Sequence, residues 1–126
     1  MKRIISRFIK NQKGVAMVEF AIVIIPLFFL VMGIIEVGWL FGSQIMLTGS
    51  AREGARLAVV VKDFDDTGYI EETVKKHTSS FKSVDVNAYK AGDDAIVAVT
   101  GTMDALLGFF VDKEVTLNAE AIMRVE

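Results

Sequence analysis

The chain changes its hydrophobic period along its length, and each change predicts an element. Residues 15–41 read VAMVEFAIVIIPLFFLVMGIIEVGWLF, 27 positions with only two charges, Glu19 and Glu36. A helix of about 20 apolar residues crosses a bilayer core, so this run predicts a membrane-spanning helix. A secretory signal has an apolar core of only about 7–15 residues. This run is longer and holds two acids, which separates it from an ordinary signal. The helix is predicted to continue through SQIMLTGSAREGARLAVVV, where Ala51, Gly54, Ala55 and Ala58 form a strip of small residues at helical spacing. Such a strip suits close packing on another helix or a sheet.

A polar turn, Asp63-Phe64-Asp65-Asp66-Thr67-Gly68, precedes a second helix expected over about 69–81. Ile70, Val74, His77 and Phe81 share its apolar stripe, with His77 expected at the edge of the core. The period then drops to two. Residues 84–89 alternate, Ala91-Gly92-Asp93-Asp94 signals a turn, and 95–102 is apolar on both faces, as a central strand would be. Residues 104–110 form an apolar connection that fits a short helix. Its Leu106, Leu107, Phe109 and Phe110 either rim a subunit contact or, the reading favoured, cover one end of the sheet. Val115, Leu117, Ala119, Ala121, Met123 and Val125 then alternate with other residues along the clearest strand.

These elements predict an α+β fold: a long N-terminal transmembrane helix running into a small domain with a second helix and a three-stranded antiparallel sheet. The expected organisation is a basic leader over 1–14, a membrane helix over 15–42, and an extracytoplasmic domain over 43–126 that includes the helix continuation to about 61.

Charge orients this plan. The first fourteen residues carry Lys2, Arg3, Arg7, Lys10 and Lys13 and no acid, a charge of +5. The remainder has 14 − 5 = 9 basic against 16 acidic residues, a charge of −7. A basic head before an apolar run is held in the cytoplasm, which places the small domain outside, with the chain in the inner membrane. There is no cysteine, so disulfides and Cys-ligated zinc are excluded. The acidic domain argues against a nucleic-acid partner. Asp63, Asp65 and Gly68 resemble the start of a calcium loop, but Val74 stands where an EF-hand needs a bidentate Glu. With one histidine and no nucleophile–base set or phosphate loop, no enzyme, cofactor or small-molecule substrate is expected.

Depth singles out the two acids. At about 1.5 Å per residue, Glu19 lies about 6 Å along the helix from Val15, Glu36 about 32 Å and Trp39 about 36 Å. Glu36 and Trp39 are therefore expected at the outer interface. Glu19 either ends the membrane helix among headgroups or needs a partner, since a carboxylate in an apolar segment is costly. A cut after Gly14 would create an amine four residues before it, on its own chain or a neighbour's. Pro26 removes one helix hydrogen bond and predicts a kink. Gly38 and Gly42 form a G-x-x-x-G pair that allows close approach of helices. Arg52 and Arg56 share a face, either solvated or reaching acids of a neighbouring subunit such as its Glu36.

Lys13-Gly14-Val15-Ala16-Met17-Val18-Glu19-Phe20-Ala21, then Pro26, Glu36 and Ala51-Arg52-Glu53-Gly54-Ala55-Arg56, together resemble the TadE-like minor pilins and pseudopilins of tight-adherence (Flp, type IVc) pilus systems. The resemblance covers about residues 13–60. It implies cleavage between Gly14 and Val15 by a membrane prepilin peptidase, with Glu19 as the acid used in processing or assembly. Phe20 stands where the major pilins carry Tyr, which favours a minor role. Implied partners are the membrane, other pilins, the peptidase and the pilus assembly platform. The expected function is pilus assembly and surface adhesion. The alternatives are an uncleaved signal-anchored protein whose small domain binds a partner, and a pseudopilin of a type II secretion machine.

Overall fold

The protein is described from a computed structural model, which covers residues 2–61 and 67–125, with side chains from Lys13 onward. Helix α1 spans Lys2–Val61 and α2 spans Gly68–His77. Strands follow as β1 (Ser83–Ala91), β2 (Asp94–Asp104) and β3 (Glu114–Arg124). By contacts the chain forms two units, Met1–Ile35 and Glu36–Glu126. The first contains only helix. The second is the expected α+β fold.

The sheet has the order β1-β2-β3, antiparallel throughout, so the doubly apolar run is the central strand. Ala91 pairs with Asp94 across a two-residue turn whose Gly92 has φ +64°, a backbone conformation that glycine adopts without strain. Along β2, alternate residues Ala95, Val97, Val99, Gly101 and Met103 are buried. They meet Leu47, Ala51, Ala55 and Ala58 of α1, Ile70 and Val74 of α2, Phe81, and Ala119 and Ala121 of β3 in one core. The small strip therefore packs inside its own domain. A Cβ on Gly54 would lie 3.1 Å from Val74, 3.2 Å from Val97 and 3.3 Å from Ile70, so α1 runs at close range past both α2 and the sheet.

Three expectations are corrected. Helix α2 ends at His77 and not near Phe81, because Thr78 leaves the helical conformation and its buried hydroxyl donates to the carbonyl of Val74 at 2.8 Å. That hydroxyl satisfies a terminal acceptor which the helix leaves open. His77 is exposed, and Thr78 fills the core-facing position. Residues 105–113 form no helix but a loop closed by the Ala105 N–H donating to the Lys113 carbonyl at 3.0 Å. Its Leu106, Phe109 and Phe110 are exposed. The calcium-like turn falls largely on residues 62–66, outside the described residues.

At the loop end of the sheet, exposed Lys82 pairs with Asp104 at 2.7 Å. The hydrogen bond to Asp104, then the charges of Asp104 and Glu114, raise its pKa from the ordinary 10.5 against a smaller opposing effect of burial. Because the folded value lies above the unfolded one, the pair stabilises fully below pH 10.5, and the effect is lost as pH rises through the folded value. In Asp104→Asn, the Lys82 titration followed by NMR should move down towards 10.5. A second test concerns Gly101, where a Cβ would lie 2.5 Å from the Phe81 ring and 3.1 Å from Leu47. Gly101→Ala should destabilise the second unit by about 1–3 kcal/mol through overpacking, read as a lower midpoint of chemical unfolding.

Candidate functional site

The sequence-derived site residues fall on two parts of α1. In the first unit, the helix runs unbroken through Gly14 and Pro26. A Cβ at Gly14 would meet nothing within 4 Å, and Val15 and Phe20 are 64% and 67% exposed. Glu19 is also exposed and meets no hydrogen-bonding or ionic partner among the described residues. The stretch Lys13–Val61 contains one helix long and apolar enough to cross a membrane, and none of its most apolar part is buried against the protein. Side chains this apolar need lipid or neighbouring helices as their environment.

In the second unit, a buried stripe on α1 begins at Glu36 and continues through Ser43, Leu47, Ala51, Gly54 and Ala58 at helical spacing. Ser43 and Ser50 are satisfied within the helix, their hydroxyls donating to the carbonyls of Trp39 (3.0 Å) and Met46 (2.9 Å). Gln44 reaches the sheet, donating from Nε2 to the Asn118 carbonyl at 2.8 Å. Glu36 is different. Its side chain is 0% exposed, and its Oε2 accepts the Leu107 backbone N–H at 2.8 Å. Its Oε1 is equally buried and has no hydrogen-bond partner among the described residues. The expected interfacial acid is thus the tether of the 105–113 loop. Gly108, at φ +65°, gives that loop the left-handed step next to the donating amide.

The remaining residues face outward. A Cβ at Gly38 or Gly42 would meet nothing within 4 Å, so this G-x-x-x-G face is uncovered within the chain. Arg52 and Arg56 are exposed, and Arg56 bonds Glu53 on its own helix at 3.2 Å. A surface pair of this kind contributes about 0–1 kcal/mol, so it does not hold Arg56 firmly. No group of three or more potential metal ligands occurs among the described residues.

The glycine, the two acids and the arginines thus lie in one order along one helix, as the tight-adherence resemblance requires. The family model of TadE-like protein matches residues 14–56. This segment is TadE-like. The match opens at Gly14 and closes at Arg56, and it takes in the processing, acid, glycine and arginine positions named on α1. It leaves α2, the sheet and the 105–113 loop outside the TadE-like segment. No curated protein and no solved structure gives a significant match to the chain.

Sequence reasoning found Glu36 but missed Leu107, because a backbone amide donor 71 positions away carries no side-chain signature. The tether sets two opposed effects against each other. Removing the side chain loses this bond, leaves the Leu107 N–H without its acceptor and empties a fully buried position, and the loss of an unpaired buried oxygen offsets only part of that. Glu36→Ala should therefore destabilise the second unit, read as a lower midpoint of chemical unfolding. It should speed hydrogen exchange at the Leu107 amide about ten- to a hundredfold, the factor that such a bond implies. Glu36→Gln, which keeps an acceptor oxygen, should retain most of the protection.

Proposed function

We propose that the chain is a minor pilin- or pseudopilin-like component of a tight-adherence type IV pilus system, anchored in the inner membrane and acting in pilus assembly and surface adhesion. The observation that carries this reading is the TadE-like match starting at Gly14, on a helix whose most apolar part is not buried among the described residues. In this reading residues 1–14 are a basic leader held in the cytoplasm, and the α+β domain lies outside.

A membrane prepilin peptidase would hydrolyse the Gly14–Val15 amide, leaving the Gly14 carboxylate on the leader and an α-ammonium on Val15. Glycine lowers helix stability by about 1 kcal/mol relative to alanine, which eases the local unwinding that a protease needs. The new ammonium would stand four residues from Glu19, within one helical turn or within reach of a neighbouring chain's Glu19. That pairing neutralises an acid which lipid alone would penalise. Phe20 lies next to it on the exposed surface. The open Gly38–Gly42 face would then admit another pilin's helix closely, and Pro26, which lacks an N–H, would let the helix adapt. Arg52 and Arg56 would meet acids of a neighbour at the assembly platform or in the filament.

Intact mass of the membrane-purified protein tests this directly. With an active peptidase, the chain should lose the fourteen residues up to Gly14, and Gly14→Leu should keep them. Glu19→Ala should leave the fold of the second unit unchanged while lowering pilus yield or processing. An uncut wild-type chain in a strain with active peptidase points instead to a signal-anchored binding protein. Loss of protein secretion without loss of pili, on deletion, points to a type II secretion pseudopilin.

A further inference from the structure

The 105–113 loop lies outside the TadE-like segment, yet it is fastened to that segment's Glu36. Its composition is unusual for an exposed loop. Leu106 is 49%, Phe109 68% and Phe110 54% exposed, all within five positions. Such clustered apolar surface on a small domain marks a contact with something apolar.

Three observations say what that something is. The loop is held by Glu36, and the turns of α1 that follow this residue expose Val37 (60%), Trp39 (42%) and Phe41 (68%). In sequence, Glu36 lies near the outer end of the 15–41 apolar run, about 32 Å along the helix from Val15, so the loop is tied to the chain at the depth expected for the outer interface. The exposed side chains of the loop and of α1 just after Glu36 include aromatic rings, those of Trp39, Phe109 and Phe110 among them, and aromatic residues are the ones that sit at the headgroup level of a bilayer. The opposite end of the sheet, at the β1–β2 turn with Asp93 and Asp94, is ten residues along β2 from Asp104, roughly 34 Å of strand.

From this placement we propose that the 106–110 loop dips into the bilayer surface, with Phe109 seated at the boundary between headgroups and acyl chains and Glu36 holding the loop at that depth. The partner is a lipid surface. Lys113, exposed at the base of the loop, is placed to meet lipid phosphates. The loop gives the domain a second membrane contact besides the helix, and two contacts restrict how far the domain can tilt or rotate. Glu36 is a positioning residue: it touches the loop backbone and not the lipid. The proposal rests on the membrane-anchor part of the function proposed above.

The test uses the full chain in lipid nanodiscs, each variant carrying one cysteine labelled with an environment-sensitive fluorophore; no native cysteine competes. Phe28→Cys reports on the apolar run, Phe109→Cys and Leu106→Cys on the loop, and Lys90→Cys on the far end of the sheet. Folding of each variant is checked by circular dichroism. The expected result is blue-shifted emission at positions 28, 106 and 109, quenched by nitroxide lipids, with position 109 quenched best by a shallow nitroxide about 5–10 Å deep. Position 90 should emit as in water. Adding Glu36→Ala should shift position 109 back towards aqueous emission, and Glu36→Gln should not. Aqueous emission at 106 and 109 with position 28 quenched overturns the loop proposal and leaves the membrane anchor standing. Blue-shifted emission at 109 without lipid quenching also overturns it, and indicates contact with a second protein copy. If position 28 is not quenched, the anchor and the loop proposal fall together.

Discussion

Close packing along one stripe of α1 is the constraint from which the rest of the second unit follows. Helix and sheet meet over alanine and glycine at positions 51, 54, 55 and 58, where larger side chains would push them apart. Because these residues offer little apolar area of their own, the core takes its volume from the other side: Ile70 and Val74 of α2, Val97, Val99 and Met103 of β2, and Phe81. Burying each such large side chain contributes about 1.5–3 kcal/mol. A ten-residue helix like α2 is not stable alone in water, so its existence depends on this contact. Phe81 illustrates the same economy of space, since it fills the room that Gly101 leaves empty on the central strand.

Glu36 belongs to that stripe and breaks its chemistry. A buried carboxylate oxygen without a hydrogen-bond partner is rare in folded proteins. A hydrophobic residue there would pack without such cost, but it would offer nothing to the Leu107 amide. The acid therefore exchanges some stability for a fixed loop position, a use of buried polar groups seen where register matters more than strength. The TadE-like match spans Glu36 but not the loop that supplies its partner amide.

Much of the fold was legible because each element follows one dominant pattern. The unbroken apolar run, the two-residue alternation of β3 and the Gly92 turn leave little choice of period. The failures have a common physical origin. His77 matched the α2 stripe by spacing, but the helix ends there, Thr78 leaves the helical conformation, and Thr78 is the residue that is buried. Residues 104–110 were apolar enough for a short helix, yet the Ala105–Lys113 bond and the left-handed Gly108 make a closed loop. In the site, depth along the helix put Glu36 at the outer interface and made Glu19 the acid that needs headgroups or a partner, but it could not show which acid the fold buries. One is exposed, and the other is buried under a backbone amide that no side-chain pattern announces.

That distinction shows how one helix serves two surroundings. Before Glu36, apolar residues occupy every side of α1, as lipid or neighbouring helices require. From Glu36 onward, only one stripe is committed to the core, and polar residues such as Gln44, Arg52 and Arg56 occupy other sides. A helix apolar all round has no preferred face, so nothing in its sequence sets a rotation about its axis. A stripe does set one. The stripe from Glu36 onward therefore decides which faces of that part of α1 stay open, Gly38 and Gly42 among them.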